Sequence, residues 1–140
     1  MTFMWRVGIA ILLPAAASAA DLCRDSKTTL DMNQCLSDQI TLAEKELAKY
    51  LEESRRRVAN DPRTLAEFEK AQTAWVAFRD AHCGAIYQFW AQGSVRGAMA
   101  GYCLLKQTRR RTYDLWDAYL TYVDTTPPIL PEPKLSENDK

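Results

Sequence analysis

The sequence predicts an all-α fold, a small antiparallel three-helix bundle stapled by two disulfides. Apolar residues recur at helical spacing in three long segments, and no segment shows the alternation that is typical of strands. Short links containing Gly, Asp or Pro separate the three segments. Four cysteines in so small a chain provide the cross-links that a thin core needs.

The N-terminal residues have the pattern of a secretory signal peptide. Arg6 precedes an apolar run over residues 7–16, and small residues follow it up to residue 20. The run is too short to span a membrane, and Leu22 is not the small residue that a lipid anchor would require before Cys23. We therefore expect a signal peptide at residues 1–20 and a helical domain at 21–124. The protein would be periplasmic or secreted, without a membrane anchor.

The first helix is predicted from Thr28 to about Asn60. Thr28 suits the N-cap, and Asp31 stands three residues later, as in a capping box. The apolar side of this helix forms one stripe at 100° per residue, made of Met32, Leu36, Ile40, Ala43, Leu47, Tyr50, Leu51, Ser54 and Val58.

The second helix is predicted from Pro62 to about Gln92, with Asp61 as N-cap and Pro62 at the first helical position. Its inward stripe holds most of its aromatic residues, Phe78 and Phe89 among them. The same stripe carries three polar side chains, which we expect to form a structural polar layer: Gln72, Arg79 and His82.

Arg79 is permanently charged, so burial in that layer would require a carboxylate or several carbonyl groups. Four aspartates of the neighbouring helices are candidates between which the sequence does not decide. They are Asp31 and Asp38 on the first helix and Asp114 and Asp117 on the third.

The third helix is predicted from about Tyr102 to Val123. Gly93 ends the helix before it, Ser94 is a candidate cap, and glycines at 97 and 101 predict a partly irregular stretch over residues 93–102. Residues 125–140 contain four prolines and polar ends. This composition predicts a disordered tail that adds no core and is dispensable.

The composition argues against several functions. The chain has 18 basic and 18 acidic residues, and loss of Arg6 with the signal peptide leaves a net charge of about −1, which disfavours nucleic-acid binding. His82, the only histidine, adjoins Cys83, but neighbours on a helix point about 100° apart and cannot form a thiol dyad. No cofactor motif or metal-ligand spacing is present, so we predict a non-enzymatic protein without cofactor or metal.

Export and an even number of cysteines predict disulfides. Four cysteines allow three pairings, of which we favour the two that are local in sequence, Cys23–Cys35 and Cys83–Cys103.

Several motifs in a fixed order resemble the LprI-like family of bacterial lysozyme inhibitors. They are "MN-x-C" after a first cysteine, "AQ-x2-W", "RD-x2-C", a "GS" loop, and a cysteine followed by "T-x2-R-x3-L". This sequence supplies them through Cys23, Thr28, Met32, Asn33, Cys35, Ala43, Leu47, Tyr50, Ala71, Gln72, Trp75, Arg79, Asp80, Cys83, Gly93, Ser94, Cys103, Thr108, Arg111 and Leu115. The resemblance covers residues 23 to about 120 and implies the same disulfide pairing.

The resemblance implies an envelope protein that binds a lysozyme-type muramidase and blocks its cleft. A muramidase cleft carries two acidic groups, so a blocking protein would present a loop with hydrogen-bond donors and a cation. Gln92, Gly93, Ser94 and Arg96 are the candidate loop residues. The alternative is a non-enzymatic binding or immunity module for another protein partner, which an exposed patch including Tyr87, Trp90 and Tyr122 would favour.

Overall fold

The computed structural model describes residues 23–136 and residue 139, so the predicted signal peptide lies outside the described residues. The described chain forms helix α1 (Thr29–Val58), helix α2 (Pro62–Phe89) and helix α3 (Arg96–Leu115), which continues into one turn of π-helix (Trp116–Leu120). Short links make consecutive helices antiparallel, and no strand occurs among the described residues. The predicted three-helix bundle is confirmed.

The first two helices begin where the sequence predicts. The Thr28 hydroxyl accepts from the Asp31 amide at 3.1 Å, and the Asp31 carboxylate accepts from the Thr28 amide at 3.2 Å. The Asp61 carboxylate accepts from the Arg63 amide at 3.0 Å, ahead of Pro62 at the first position of α2. These bonds satisfy amide groups that have no partner inside the helix.

Helix α3 begins at Arg96, earlier than predicted, because its two glycines serve packing against α1. A Cβ on Gly97 would lie 3.0 Å from the Asn33 side-chain nitrogen, and a Cβ on Gly101 would lie 3.2 Å from Leu36 Cδ1. Close approach of the two helices therefore compensates for the low helix propensity of glycine. Ser94 does not cap α3, since the N-cap is Val95 and no side chain caps it.

The core consists of two clusters along the α1–α3 interface. The first lies near the N-terminal end of α1 and is built from Cys23, Leu36, Ala43, Ala98 and Leu105. The second lies near the C-terminal end of α1 and is built from Leu47, Tyr50, Phe68, Leu115 and Leu120. Because α1 and α3 run in the same direction, their N-terminal ends and the C-terminal end of α2 meet at one end of the bundle.

Helix α2 is covered on one side only. Over its full length just Phe68 and Cys83 are buried, while Phe78 is 55% exposed and Phe89 is 81% exposed. The expectation that both phenylalanines face inward is wrong. The apolar sector of α2 was predicted correctly from the helical spacing. That sector is wider than the part of α2 that α1 and α3 cover, so both rings remain exposed.

The proline-rich segment differs from the predicted disordered tail, because it folds back over the second cluster. The Ile129 amide donates to the Leu120 carbonyl at 2.9 Å, and the Trp116 indole N–H donates to the Leu130 carbonyl at 3.0 Å. Leu130 packs against the cluster, and Asp139, which is 1% exposed, accepts from Arg109 at 3.5 Å. Composition predicted disorder, but Leu130, between the prolines, packs against an open edge of the core, and the Ile129 and Leu130 backbone groups bond to Leu120 and Trp116. We call residues 121–136 the strap.

Candidate functional site

The disulfide pairing predicted from the sequence is confirmed. Cys23 is bonded to Cys35 with a Cα–Cα distance of 5.9 Å, and Cys83 to Cys103 with a Cα–Cα distance of 5.5 Å. No cysteine among the described residues is free. The second bond joins α2 to α3 on either side of the link between them, so both ends of that link are anchored.

The link between α2 and α3 is a tight double turn. The Gly93 amide donates to the Trp90 carbonyl at 2.9 Å, and the Arg96 amide donates to the Gly93 carbonyl at 3.3 Å. Gln92, Ser94 and Arg96 are exposed and Gly93 is half-buried. The four candidate loop residues therefore lie together at one end of the bundle; we call residues 92–96 the α2–α3 loop.

The Arg96 guanidinium lies over the ring of Tyr87, with its Cζ atom 5.0 Å from the ring centroid. None of the ion pairs formed among the described residues involves Arg96. The aromatic face restricts the side chain without neutralising its charge. The loop thus presents an oriented cation to solvent.

A groove of about 560 Å³ opens beside the α2–α3 loop, between α1 and α3. Leu36, Ile40 and Gly101 contribute apolar surface to it, and Tyr87 and Asn33 line it near the loop. Tyr87 is shared by the groove and the Arg96 contact, so a convex loop and a concave groove adjoin at the same end of the molecule.

The three residues expected in a polar layer make separate contacts. Gln72 accepts from the Arg111 side chain at 3.1 Å. Arg79 pairs with Glu44 at 3.2 Å and with Asp80 at 3.0 Å. His82 is exposed and stacks on Phe78 with centroids 5.4 Å apart. The predicted polar layer does not form, because residues on one stripe of α2 meet different helices. Gln72 contacts α3, whereas Arg79 contacts α1.

The partner of Arg79 is also not among the four aspartates that were considered. Glu44 lies on α1 and is half-exposed, so the ion pair closes the outer edge of the α1–α2 contact. The Arg79 side chain is 15% exposed and rests over the Trp75 ring at 5.2 Å. Its role is to bridge helices at the surface rather than to satisfy a buried site.

Arg111 makes a half-buried polar contact that the sequence did not indicate. Burial lowers the pKa of its guanidinium, against smaller opposing effects of Asp114 and Tyr119. Its side chain donates to Gln72 and lies 5.9 Å from the Trp75 ring. Arg111 is the last of three consecutive arginines, and Thr108 and Thr112 beside it on α3 are buried; that neighbourhood is the signal that could have indicated its partial burial.

The sequence neighbours His82 and Cys83 make separate contacts. Cys83 is oxidised and His82 is stacked on Phe78, so the two do not act together. No group of three metal-ligating residues was found in the described part of the chain. The helices in that part are too short or too polar to cross a membrane.

The exposed aromatic residues considered for a general binding patch do not form one. Trp90 and Tyr87 lie by the α2–α3 loop, but Tyr122 follows α3 at the opposite end of the bundle. There the Arg57 guanidinium covers the Tyr122 ring at 4.2 Å. The loop end is therefore a separate surface.

Comparison with known proteins gives one match. Residues 23–115 match the family model described as lysozyme inhibitor LprI. The match spans α1, α2 and α3, both disulfides and the α2–α3 loop, and it ends where the π-helix begins. Neither the curated proteins nor the solved structures contain a match. The chain therefore belongs to the LprI lysozyme inhibitor family.

Proposed function

We propose that this protein binds a lysozyme-type muramidase and inhibits it by placing the α2–α3 loop in the cleft of the enzyme. The observation that carries the proposal is Arg96, an exposed cation that lies over Tyr87 and forms no ion pair among the described residues. A muramidase cleft offers two carboxyl groups. A fixed guanidinium can bind a carboxylate through two parallel hydrogen bonds.

Rigidity of the loop supports the same proposal. An inhibitor loses less entropy on binding when its loop is already ordered. The Cys83–Cys103 bond holds both flanking helices, and two backbone hydrogen bonds close the turns between Trp90 and Arg96. Exposed side chains of Trp90 and Val95, each 39% exposed, flank the polar tip and would cover apolar rims of the cleft.

The compartment of action follows from the same features. Disulfides persist in oxidising compartments, and peptidoglycan is cleaved outside the cytoplasm. We place the mature protein in the periplasm or outside the cell, after removal of residues 1–20, as a non-enzymatic protein that binds a protein partner. It requires no cofactor.

The test is cell-wall lysis by purified lysozymes of several classes, with and without the mature protein. We expect inhibition by the intact protein and at least a tenfold loss of potency for Arg96→Ala combined with Ser94→Ala. Arg110→Ala is the matched control, because Arg110 is an exposed arginine of α3 outside the loop. It should leave inhibition unchanged.

Two results would contradict the proposal in different ways. Full lysis by every enzyme class, in the presence of excess folded protein, would remove the inhibitor function and leave binding of another protein partner. Inhibition that survives the double substitution would keep the function and move the contact away from the loop.

A further inference from the structure

One side of α2 is apolar, exposed and uncharged over most of its length. We call it the α2 outer face, and its members are Ala71, Ala74, Phe78, Ala81, His82, Ala85 and Phe89, all of them exposed. Apart from the adjacent Ala81 and His82, successive members are three or four residues apart, which is the repeat of a helix seam that packs against another helix. Nothing in the described part of the chain covers this face.

Leaving the face in water is unfavourable. Phe78 is 55% exposed and Phe89 is 81% exposed. Each phenyl side chain buries roughly 150–250 Å² when it is fully covered, so the two rings alone leave a large apolar area uncovered. The rest of α2 is held by its own bundle, through Phe68, Cys83 and the Arg79–Glu44 pair.

From this geometry we propose that the α2 outer face binds the α2 outer face of a second copy of the chain, forming an antiparallel two-fold dimer. The large and small residues of the face are self-complementary in one register. With the two-fold axis between Ala81 and His82, Phe78 of each copy lies opposite Ala85 of the other. Phe89 then lies opposite Ala74, so each ring meets a small residue that leaves room for it.

Charge is consistent with this pairing. The face carries no charged side chain between Ala71 and Phe89, so two copies meet without repulsion.

The area suits a weak dimer. Residues 71–89 span about 27 Å of helix, and a helix with its side chains is about 10 Å wide. That footprint is roughly 270 Å² on each copy, so the contact is smaller than a standard interface and suits a weak association. The two α2–α3 loops would lie at opposite ends of the dimer. The proposal is thus independent of the inhibitor function.

Sedimentation equilibrium of the mature protein, from low micromolar to high concentration, tests the proposal. The wild type should show a concentration-dependent dimer. Phe78→Glu and Ala85→Lys should each raise the dimer dissociation constant about tenfold or more. Leu42→Glu is the matched control, since Leu42 is 60% exposed on α1, away from the face. Circular dichroism would verify that each variant is folded.

The register is tested by combining the two changes. Phe78→Glu with Ala85→Lys places opposite charges across the antiparallel interface twice, so the double variant should regain dimer that each single variant loses. A monomeric wild type at every concentration would overturn the proposal, as would a dimer that resists both single changes. Failure of the double variant to recover would overturn the antiparallel register. If the wild type is monomeric and Phe78→Glu abolishes inhibition, the α2 outer face would instead be a surface that binds the enzyme.

Discussion

The Tyr50 hydroxyl donates to the Pro131 carbonyl at 2.6 Å, which joins the C-terminal part of α1 to the strap across 81 positions of sequence. Tyr50 is 4% exposed and belongs to the second core cluster. The strap is therefore attached at a core residue, and Leu130 beside it completes the cover of that cluster.

Removing residues 125–140 should destabilise the protein. The truncation loses the partial burial of Leu130, which contributes less than the roughly 1.5–3 kcal/mol of a fully buried side chain, and the hydrogen bonds from Tyr50 and Trp116. Thermal unfolding of the full and shortened mature chains measures the effect. An unchanged melting temperature would show that the strap is dispensable for stability, as its composition predicts.

Tyr50 should also make stability depend on alkaline pH. Burial, and to a lesser extent the charge of Glu46, raises the pKa of its hydroxyl above the ordinary value. A raised pKa of this kind contributes stability below the unfolded-state value of about 10, and the contribution is lost as pH rises through the folded-state value.

Comparison with Tyr50→Phe isolates that contribution, because other tyrosines and lysines titrate in both proteins. At pH 8 the wild type should be about 1 kcal/mol more stable, through the bond to Pro131. Above pH 10 this advantage should shrink. Urea unfolding at the two pH values measures it, and a difference that stays constant with pH would contradict the assignment.

Glycines 84 and 101 should respond to substitution in opposite directions. A Cβ on Gly101 meets Leu36 Cδ1 at 3.2 Å and Leu36 Cβ at 3.3 Å, so Gly101→Val should cost about 1–3 kcal/mol through overpacking. A Cβ on Gly84 meets nothing within 4 Å, so Gly84→Ala should stabilise α2 by about 1 kcal/mol. Chemical denaturation of both variants provides the comparison. Stabilisation by Gly101→Val would show that α1 and α3 have room to separate.

The two arginine contacts of α2 should differ in importance. Gln72→Ala leaves the partly buried Arg111 without its side-chain acceptor and should cost about 1.5–3 kcal/mol. Arg79→Ala removes an ion pair whose acidic partners are half-exposed, together with the stacking on Trp75, and should cost about 1 kcal/mol. Unfolding free energies of the two variants, with His82→Ala as an exposed control, would rank them. The reverse order would contradict the structure.

Breaking the second disulfide should affect the α2–α3 loop more than breaking the first. Replacing Cys83 and Cys103 by serine opens a link of 20 residues and should cost about 3 kcal/mol. Replacing Cys23 and Cys35 opens a link of 12 residues, at a similar cost, but leaves both sides of the loop joined. Protease cleavage within the loop and inhibition are measured under conditions where both variants remain folded. The variant without the Cys83–Cys103 bond should be cleaved faster in the loop and should inhibit less. Equal behaviour would mean that the loop does not depend on its adjacent bond.

Sequence patterns predicted the helices and the caps at Thr28 and Asp61 because these depend on neighbours a few positions apart. The disulfides followed from the expected export and the even number of cysteines, and the favoured pairs were those local in sequence, 12 and 20 positions apart. These patterns could not predict the partner of Arg79, since Glu44 comes near only through the angle at which α1 and α2 pack. Gly97 and Gly101 were interpreted as breaks for the same reason, because their benefit appears only when α1 lies against them.

The loop residues could be identified from sequence because glycine, a cation and a flanking cysteine occur together there. The contact in which the Tyr87 ring restrains Arg96 could not be predicted from the sequence, because it depends on where α2 ends. Arg109, Arg110 and Arg111 are consecutive, and only their direction relative to α2 shows that Arg111 is the one that bonds to Gln72.

The strap affects the order in which the molecule can be assembled. A polypeptide is synthesised from its N-terminus, so Leu130 and Pro131 become available only after all three helices have been made. Until then, the Leu120 carbonyl and the Trp116 indole lack their hydrogen bonds to residues 129 and 130, and the second cluster lacks the packing of Leu130. A nascent chain ending before residue 129 would therefore display an unfinished apolar edge. Such an edge is a ready binding site for a chaperone, and the last segment to emerge would displace it.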